Sequence, residues 1–351
     1  MTAAARRVFL RGAAAAGALG LTGAAGCSAT RSTSAPSSPP SPSSPASGTA
    51  SSTPSVPGPP SASAPPSASG PALPAAAPWT PGPGELQPDV KLRAVQLVEA
   101  LGSWPAGTGG AAQAGAAVSA LGLDPALAGQ AGPLRPPAEA AVLRVRYAQY
   151  GGLLADSASV LVICEQTTMT AGSPTTVSSG GTTVDVRLSR ARPRWTVTEL
   201  HPGQPGPPAA QLTDAARRVL TAGGIELPPG ARADIASGAV HDSVLDAMLA
   251  LARTYAFTVS VVRSGHPIDV FGTDRPSDHP LGRAFDVWRI EGHPVVDPAT
   301  PTDLVDGFMR AAARAGSYNV GGPRQLSGGA TANQFFSDDT HHDHVHVGFQ
   351  A

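Results

Sequence analysis

The sequence predicts an α+β protein in which two folded regions follow a long front segment that does not fold. The chain contains 40 Gly and 37 Pro among 351 residues, which is more than a fully folded chain uses. Each of the two later regions opens with apolar residues at helical spacing and continues with short strand-like runs. The 24 Lys and Arg residues do not exceed the 25 Asp and Glu residues, and no basic run occurs. This balance excludes a nucleic-acid-binding protein.

Residues 1–27 have the pattern of an export signal. Three arginines precede a run of small apolar residues, Gly12–Gly26, which ends at Cys27. Such a short run cannot cross roughly 30 Å of hydrocarbon, so we expect a signal peptide. The Arg6–Arg7 pair resembles a twin-arginine signal, and Ala24–Cys27 resembles a bacterial lipobox. This resemblance implies lipidation of Cys27 and a membrane anchor at the outer face of the cell; an unlipidated, secreted protein is the alternative.

The segment over residues 28–84 is predicted to be a disordered linker. Residues 28–78 contain 14 Pro and 16 Ser, no aromatic residue and one charge. Such a composition cannot bury a core and stays extended, at about 3 Å per residue where it is polyproline-like. It therefore suits a tether that extends into the cell wall.

Residues 85–201 are predicted to form a small α+β domain of unknown role. Apolar positions predict a helix over Gln87–Ser103, and four runs have strand character: Ala141–Gln149, Ser159–Thr168, and the hairpin Thr182–Arg190 with Arg194–Leu200. The region offers no cluster of histidines, carboxylates or nucleophiles. A Pro/Gly linker over residues 202–210 follows it.

Residues 211–351 are predicted to form the second domain, a small antiparallel sheet flanked by helices. Asp242 is the expected N-cap of the second of three helices. The predicted helices are Gln211–Ala222, Asp242–Thr254 and Asp303–Ala315, and the predicted strands are Phe257–Val262, Arg283–Ile290 and His344–Phe349.

Two short motifs in this domain have the residues of a metal site. In Ser277–Asp286 a turn containing Gly282 should let His279 and Asp286 converge. In His341–Phe349 the side chains of His344 and His346 should project from one face of a strand. Two histidines and one carboxylate leave the fourth tetrahedral position of zinc open, which is typical of a catalytic site.

The Ser-x-His-x-x-Gly-x-Ala-x-Asp frame at Ser277–Asp286, joined to the later His-x-His, resembles the zinc D-Ala-D-Ala carboxypeptidases. The wider group includes lysostaphin-type endopeptidases, phage L-alanyl-D-glutamate endolysins and the hedgehog signalling domain. The resemblance covers about residues 211–350. It implies that His279, Asp286 and His346 bind Zn²⁺, and that the protein hydrolyses peptide bonds in peptidoglycan stem peptides or cross-links.

Two residues are candidates for the general base. Asp343 stands three positions before the last ligand, as the acidic base of the carboxypeptidase branch does, and is the preferred candidate. Strand alternation favours His344, which matches the base of the lysostaphin branch. The resemblance further implies that Arg263 stabilises an oxyanion or a substrate carboxylate, and a surface salt bridge is its alternative role. His341 and His342 are expected to be solvated.

A different class of function also fits this sequence. Hedgehog domains resemble peptidases and act as ligands, so the protein could be a non-catalytic wall-binding lipoprotein that retains a zinc-peptidase fold. The presence of both Asp343 and His344 favours the enzyme.

Overall fold

The structure, a computed structural model, describes residues 72–172 and 175–350. The predicted export signal, Cys27 and most of the predicted linker lie outside these residues. The described residues belong to one compact unit that mixes helix and sheet, compatible with the predicted α+β class. Within the described ranges, no helix is long and apolar enough to cross a membrane.

The first lobe packs helices on an antiparallel sheet with strand order β1-β2-β4-β5, in which β3 also pairs with β2. The predicted first helix and the terminal hairpin are confirmed, whereas α2 and two 3-10 turns in the Gly/Ala-rich passage were not predicted. The elements are α1 (Pro88–Gly102), α2 (Ala111–Ala120), 3-10 turns at Pro125–Gln130 and Gly132–Leu134, β1 (Ala140–Leu153), β2 (Ser157–Thr170), β3 (Thr176–Gly180), β4 (Thr183–Ser189) and β5 (Thr196–Pro202).

In the sheet of the first lobe, strand β2 is buried on both faces over residues 158–164. Side chains such as Val160 and Val162 of β2 pack with the apolar side of α1 in the core of the lobe. The alternate side chains, Leu161 and Ile163, form a separate small cluster with residues of the second lobe. The two lobes therefore share a packed interface, and β1 and β2 form its first-lobe side.

The second lobe is built on a seven-stranded sheet with the order β11-β10-β12-β8-β7-β6, in which β9 also pairs with β8. The prediction of a small antiparallel sheet is wrong in size and in type, because the sheet has seven strands and two of its pairs, β6–β7 and β10–β11, are parallel. The strands of these two pairs have only two or three residues each, too few for a periodic signal. The elements are α3 (Asp214–Thr221), β6 (Ile225–Glu226), α4 (Pro229–Ala236), α5 (Asp242–Leu251), β7 (Phe257–Val259), β8 (Ala284–Ile290), β9 (His293–Pro294), α6 (Thr302–Arg314), β10 (Asn319–Gly321), β11 (Phe335–Phe336), a 3-10 turn (Thr340–His342) and β12 (Val345–Gly348).

The N-cap of α5 differs from the prediction. His241 occupies the cap position and Asp242 is the first helical residue. Oδ1 of Asp242 instead accepts a hydrogen bond of 2.7 Å from Oγ1 of Thr213, whose side chain also caps α3 by accepting from the N–H of Ala216. The carboxylate thus links the starts of two helices.

The end of the predicted linker contacts both lobes. The N–H of Trp79 donates to Oε1 of Glu99 in α1 at 2.8 Å, and the carbonyl oxygen of Gly84 lies 3.0 Å from Nε2 of His342. Residues 72–84 have no regular secondary structure. They nevertheless lead the chain directly to the region around His342.

Candidate metal centre

Strand register brings two of the predicted ligands together. Asp286 of β8 and His346 of β12 are direct partners in an antiparallel pair, so their side chains lie on the same face. Nδ1 of His346 lies 3.0 Å from Oδ1 of Asp286. Both side chains are buried.

The third predicted ligand, His279, reaches the same point through a tight turn. The N–H of Gly282 donates to the carbonyl oxygen of His279 at 2.8 Å, and Gly282 has a φ of 71°. A Cβ at this position would lie 2.1 Å from the carbonyl oxygen of Ala239, so the turn requires glycine. Nε2 of His279 lies 3.1 Å from Oδ1 of Asp286 and 3.1 Å from Nδ1 of His346.

The hydrogen-bond chemistry of these three atoms fits a cation. Nδ1 of His279 lies 2.8 Å from the carbonyl oxygen of Val262, and since a carbonyl only accepts, this nitrogen carries a proton. Nε2, the other ring nitrogen, is then the atom of His279 that is available to a metal ion. A metal ion between the three atoms would satisfy these contacts together, and the Val262 carbonyl would fix the orientation of the ring.

The protonation states of the ligands also suit metal binding. Burial acts to raise the pKa of Asp286, but His279 and His344 outweigh it and hold the pKa well below the usual range. Burial lowers the pKa of His346 to about 4, against the opposing effect of Asp286. At neutral pH the pair is therefore a carboxylate and a neutral imidazole, the forms that coordinate metals.

His266 belongs to the same cluster and was not predicted. Its ring stacks on that of His279 with centroids 4.0 Å apart and planes 17° apart. His266, His279 and Asp286 could hold a metal ion, because each offers a ligand atom and these atoms lie within 4.8 Å of one another. Oγ of Ser277 lies 3.4 Å from Nδ1 of His266. His266 belongs to neither motif; the one sequence signal for it was that eight of the nine histidines lie between His241 and His346.

The two candidate bases occupy different positions. Asp343 is buried, and its Oδ1 accepts a hydrogen bond of 2.6 Å from Nδ1 of His344. Its Oδ2 accepts from Nζ of Lys91 at 2.6 Å and from the N–H of Tyr150 at 2.9 Å. Nε2 of His344 points to the ligand cluster and lies 3.7 Å from Oδ2 of Asp286.

The charges around His344 favour its protonated form. Burial acts to lower the pKa of His344, but Asp286 and Asp343 outweigh burial and raise the pKa. For Asp343, burial acts to raise the pKa, whereas the charge of Lys91 and the hydrogen bond from His344 lower it. Asp343 is thus a satisfied carboxylate behind the imidazole, and His344 is the group that faces the ligands.

The structure does not bring Arg263 to the cluster. Nη1 of Arg263 donates to the carbonyl oxygen of Pro205 at 3.3 Å, and its backbone N–H donates to Oδ2 of Asp234 at 3.0 Å. Arg263 does not line the cleft next to the ligands. Arg275 does line it, and is the one Arg or Lys among the described residues that does so. The sequence missed Arg275 because it stands in an irregular loop.

A cleft of about 610 Å³ opens over the ligand cluster. The cleft is lined on the first-lobe side by residues 150–154, at and just after the end of β1, and on the second-lobe side by residues that include His279, His344 and His346. His341 also lines the cleft, and its Nδ1 lies 2.7 Å from Oδ1 of Asp338, so the expectation that it is simply solvated is wrong.

No protein-family model, no curated protein and no solved structure significantly matches this chain.

Proposed function

We propose that the protein is a zinc-dependent peptidase whose active centre is the cleft over His279, Asp286 and His346. One observation carries this proposal. Three ligand atoms of the types that zinc prefers lie 3.0 to 3.1 Å apart, with the Nε2 atom of His344 beside them. Zinc bound by three side chains keeps a fourth position for water or substrate, which is the pattern of a catalytic centre.

The spacing of the ligand atoms supports zinc. Atoms that bind one tetrahedral zinc at about 2.0–2.1 Å lie roughly 3.3 Å apart, close to the observed separations. Mixed imidazole and carboxylate ligands are those of hydrolytic zinc sites, whereas Mg²⁺ and Ca²⁺ prefer oxygen ligands. A zinc ion bound there would supply a Lewis acid and an activated water.

His344 is the general base in this proposal. Asp343 accepts the Nδ1 proton of His344, so the deprotonated form of the ring has its free Nε2 toward the cleft. Because Asp286 and Asp343 raise the pKa of this ring, His344 acts as a base above that raised pKa. Nε2 would accept the proton of the attacking water and return it to the leaving amine. Asp343 is a positioning residue, because Lys91, Tyr150 and His344 already occupy its oxygens. This assignment replaces the preference that the sequence gave to Asp343.

The substrate class follows from the sequence together with the cleft. An exported protein, tethered to the membrane by a lipidated Cys27 and a long linker, would meet peptidoglycan. The cleft is lined by apolar side chains such as Phe271 and Phe336 and by carboxylates such as Asp278, features that suit a peptide with an apolar part and a cationic amine. Peptide bonds of stem peptides or cross-links are therefore the proposed substrates.

The test is mass spectrometry of purified muropeptides after incubation with the zinc-loaded protein. We expect either loss of a terminal D-Ala or cleavage of a cross-link, two reactions with different product masses, and we expect neither with His279→Ala. If wild type binds zinc and insoluble peptidoglycan but leaves every muropeptide intact, the protein is the non-catalytic wall-binding lipoprotein instead.

A further inference from the structure

We infer that the first lobe is a working part of the metal centre, with Gln149 positioning the ligand Asp286 and Lys91 positioning Asp343. The part that concerns turnover rests on the proposed peptidase activity; the part that concerns metal binding rests on the candidate zinc site and not on turnover. The sequence assigned this lobe no role. Its sheet nevertheless ends at the cleft, and its side chains touch the cluster of the second lobe directly.

Gln149 holds one oxygen of the carboxylate ligand. Its Nε2 donates to Oδ2 of Asp286 at 2.6 Å, and its Oε1 accepts from the hydroxyl of Ser260. The side chain is completely buried, so no water replaces these contacts. With Oδ2 held in this way, Oδ1 of Asp286 is the oxygen that faces His279 and His346. Partners that orient a metal ligand typically change metal affinity by about 10–100-fold when they are removed.

Lys91 holds the carboxylate behind the proposed base. It is the single lysine in the sequence, lies in α1, and is completely buried. Its Nζ lies 2.6 Å from Oδ2 of Asp343, forms a second ion pair with Glu85, and lies 4.9 Å from the centre of the Tyr150 ring. The hydroxyl of Tyr147 donates to the backbone carbonyl of Asp343 at 3.1 Å. The first lobe thus fixes both the side chain and the main chain of Asp343.

The same lobe also supports the loop that carries His266. Phe271 packs so closely on Gly152 of β1 that a Cβ there would lie 2.2 Å from the ring. The guanidinium of Arg187 in β4 lies 5.2 Å from the centre of the same ring. Three separate points of the second lobe, Asp286, Asp343 and Phe271, are therefore held by the first lobe. A lobe that served only as a spacer would not need buried polar contacts at the ligands.

The first experiment measures zinc affinity in the full-length protein. Gln149→Leu removes the hydrogen bond to Asp286, and we expect zinc affinity, measured by chelator competition, to fall about 10–100-fold. The matched control is Gln166→Leu, since Gln166 is also buried in this sheet but donates to the carbonyl oxygens of Gly102 and Leu134. Gln166→Leu should lose stability and keep its zinc affinity. Equal zinc affinity in wild type and Gln149→Leu overturns the inference.

The second experiment measures turnover of the zinc-loaded protein. We expect Lys91→Met to lower kcat about 10–100-fold with KM and zinc content unchanged. Arg93→Met is the matched control, because Arg93 is a buried cation on the same helix whose Nε donates to the carbonyl oxygen of Trp195. If Lys91 acts through Asp343, the effects of Lys91→Met and Asp343→Asn should be strongly non-additive. Additive effects, or an unchanged kcat in Lys91→Met, overturn the role of Lys91.

The two experiments separate this inference from the proposed function. Removing one partner of a buried ion pair is strongly destabilising, so Lys91→Met alone can prevent folding. The variant Lys91→Met/Asp343→Asn removes both charges of this pair; it should bind zinc and turn over no faster than Asp343→Asn, and a wild-type kcat in it would overturn the role of Lys91. A protein that binds zinc tightly only with Gln149 but cleaves nothing supports the inference and refutes the peptidase. If the protein cleaves muropeptides and Gln149→Leu keeps full zinc affinity, the peptidase is supported and the inference is refuted.

Discussion

Nζ of Lys91 lies 2.6 Å from Oδ2 of Asp343, although 252 positions of sequence separate the two residues. This contact, together with the N–H of Tyr150, occupies one of the two oxygens with which Asp343 could take a proton from water. The other oxygen accepts from His344. Asp343 and His344 therefore have different tasks in the proposed reaction, and variants of the two should behave differently.

The first prediction concerns the base. His344→Gln keeps a hydrogen-bonding side chain and deletes the titrating ring, so we expect zinc binding to persist while kcat falls about a hundredfold or more. Asp343→Asn keeps the shape and removes only the charge beside Lys91. It should lose less activity, because the imidazole is still present. Metal content and steady-state kinetics check both variants, and a larger loss in Asp343→Asn than in His344→Gln would restore Asp343 as the base.

The second prediction concerns stability and pH. Burial raises the pKa of Glu85 from 4.5 to about 7, although Lys91 acts to lower it. The folded protein thus holds this proton more tightly than the unfolded chain, so the stabilisation is complete below pH 4.5 and is lost as the pH rises through 7. Glu85→Gln cannot lose a proton. The free energy of unfolding of Glu85→Gln minus that of wild type should therefore increase by on the order of 3 kcal/mol from pH 4 to pH 8, because wild type loses this stabilisation and the variant does not.

Denaturant unfolding across this pH range measures the effect of Glu85. Glu139→Gln is the control, because Glu139 is exposed. If the difference in free energy of unfolding between Glu85→Gln and wild type is constant from pH 4 to pH 8, the fold does not raise the pKa of Glu85.

The third prediction concerns the lobe interface. A Cβ at Gly152 would lie 2.2 Å from Phe271, so Gly152→Ala should destabilise the protein by about 1–3 kcal/mol through overpacking. Gly152→Ala/Phe271→Ala should recover much of the loss caused by the first substitution. Gly129→Ala is the control, since no atom lies within 4 Å of a Cβ built there. Thermal unfolding distinguishes these outcomes, and an unaffected Gly152→Ala would refute the close packing.

The fourth prediction concerns the anchor. Cys27 directly follows the apolar run of the proposed export signal, and the other cysteine, Cys164, is buried in the first lobe. Cys27→Ser should release the protein from the cell surface to the medium, as fractionation with an antibody would show. Wild-type protein already found in the medium without a lipid on Cys27 would remove the anchor from the proposal.

Much of the secondary structure followed from periodicity. The apolar positions of α1 and α6 and the strand character of β8 and β12 predicted those elements within one or two residues of their observed ends. Local turn chemistry also indicated that His279 and Asp286 approach one another. These signals are local, so short-range pattern was sufficient. The two-residue strands β6, β9 and β11 carry no periodic signal, and tertiary pairing determines them.

The contribution of the first lobe could not be predicted from local pattern, although two signals of it were present. Lys91 stands three residues before Ala94 and seven before Val98, on the apolar side of α1, where a charge requires a buried partner. The run Val160–Ile163 is continuously apolar, which is typical of a strand buried on both faces. Neither signal identifies its partner in the sequence. Asp343, which pairs with Lys91, and Trp288, which packs against Leu161 and Ile163, lie far along the chain, and only the fold brings them near.

The position of a bound metal tests the central claim most directly. Crystals of the protein soaked with zinc would be measured at the zinc absorption edge, and the anomalous difference map would locate the ion. We expect one strong peak about 2.0–2.2 Å from Nε2 of His279, Oδ1 of Asp286 and Nδ1 of His346. The absence of a peak at this cluster, or a peak bound by His266 with His346 out of reach, would contradict the proposed centre.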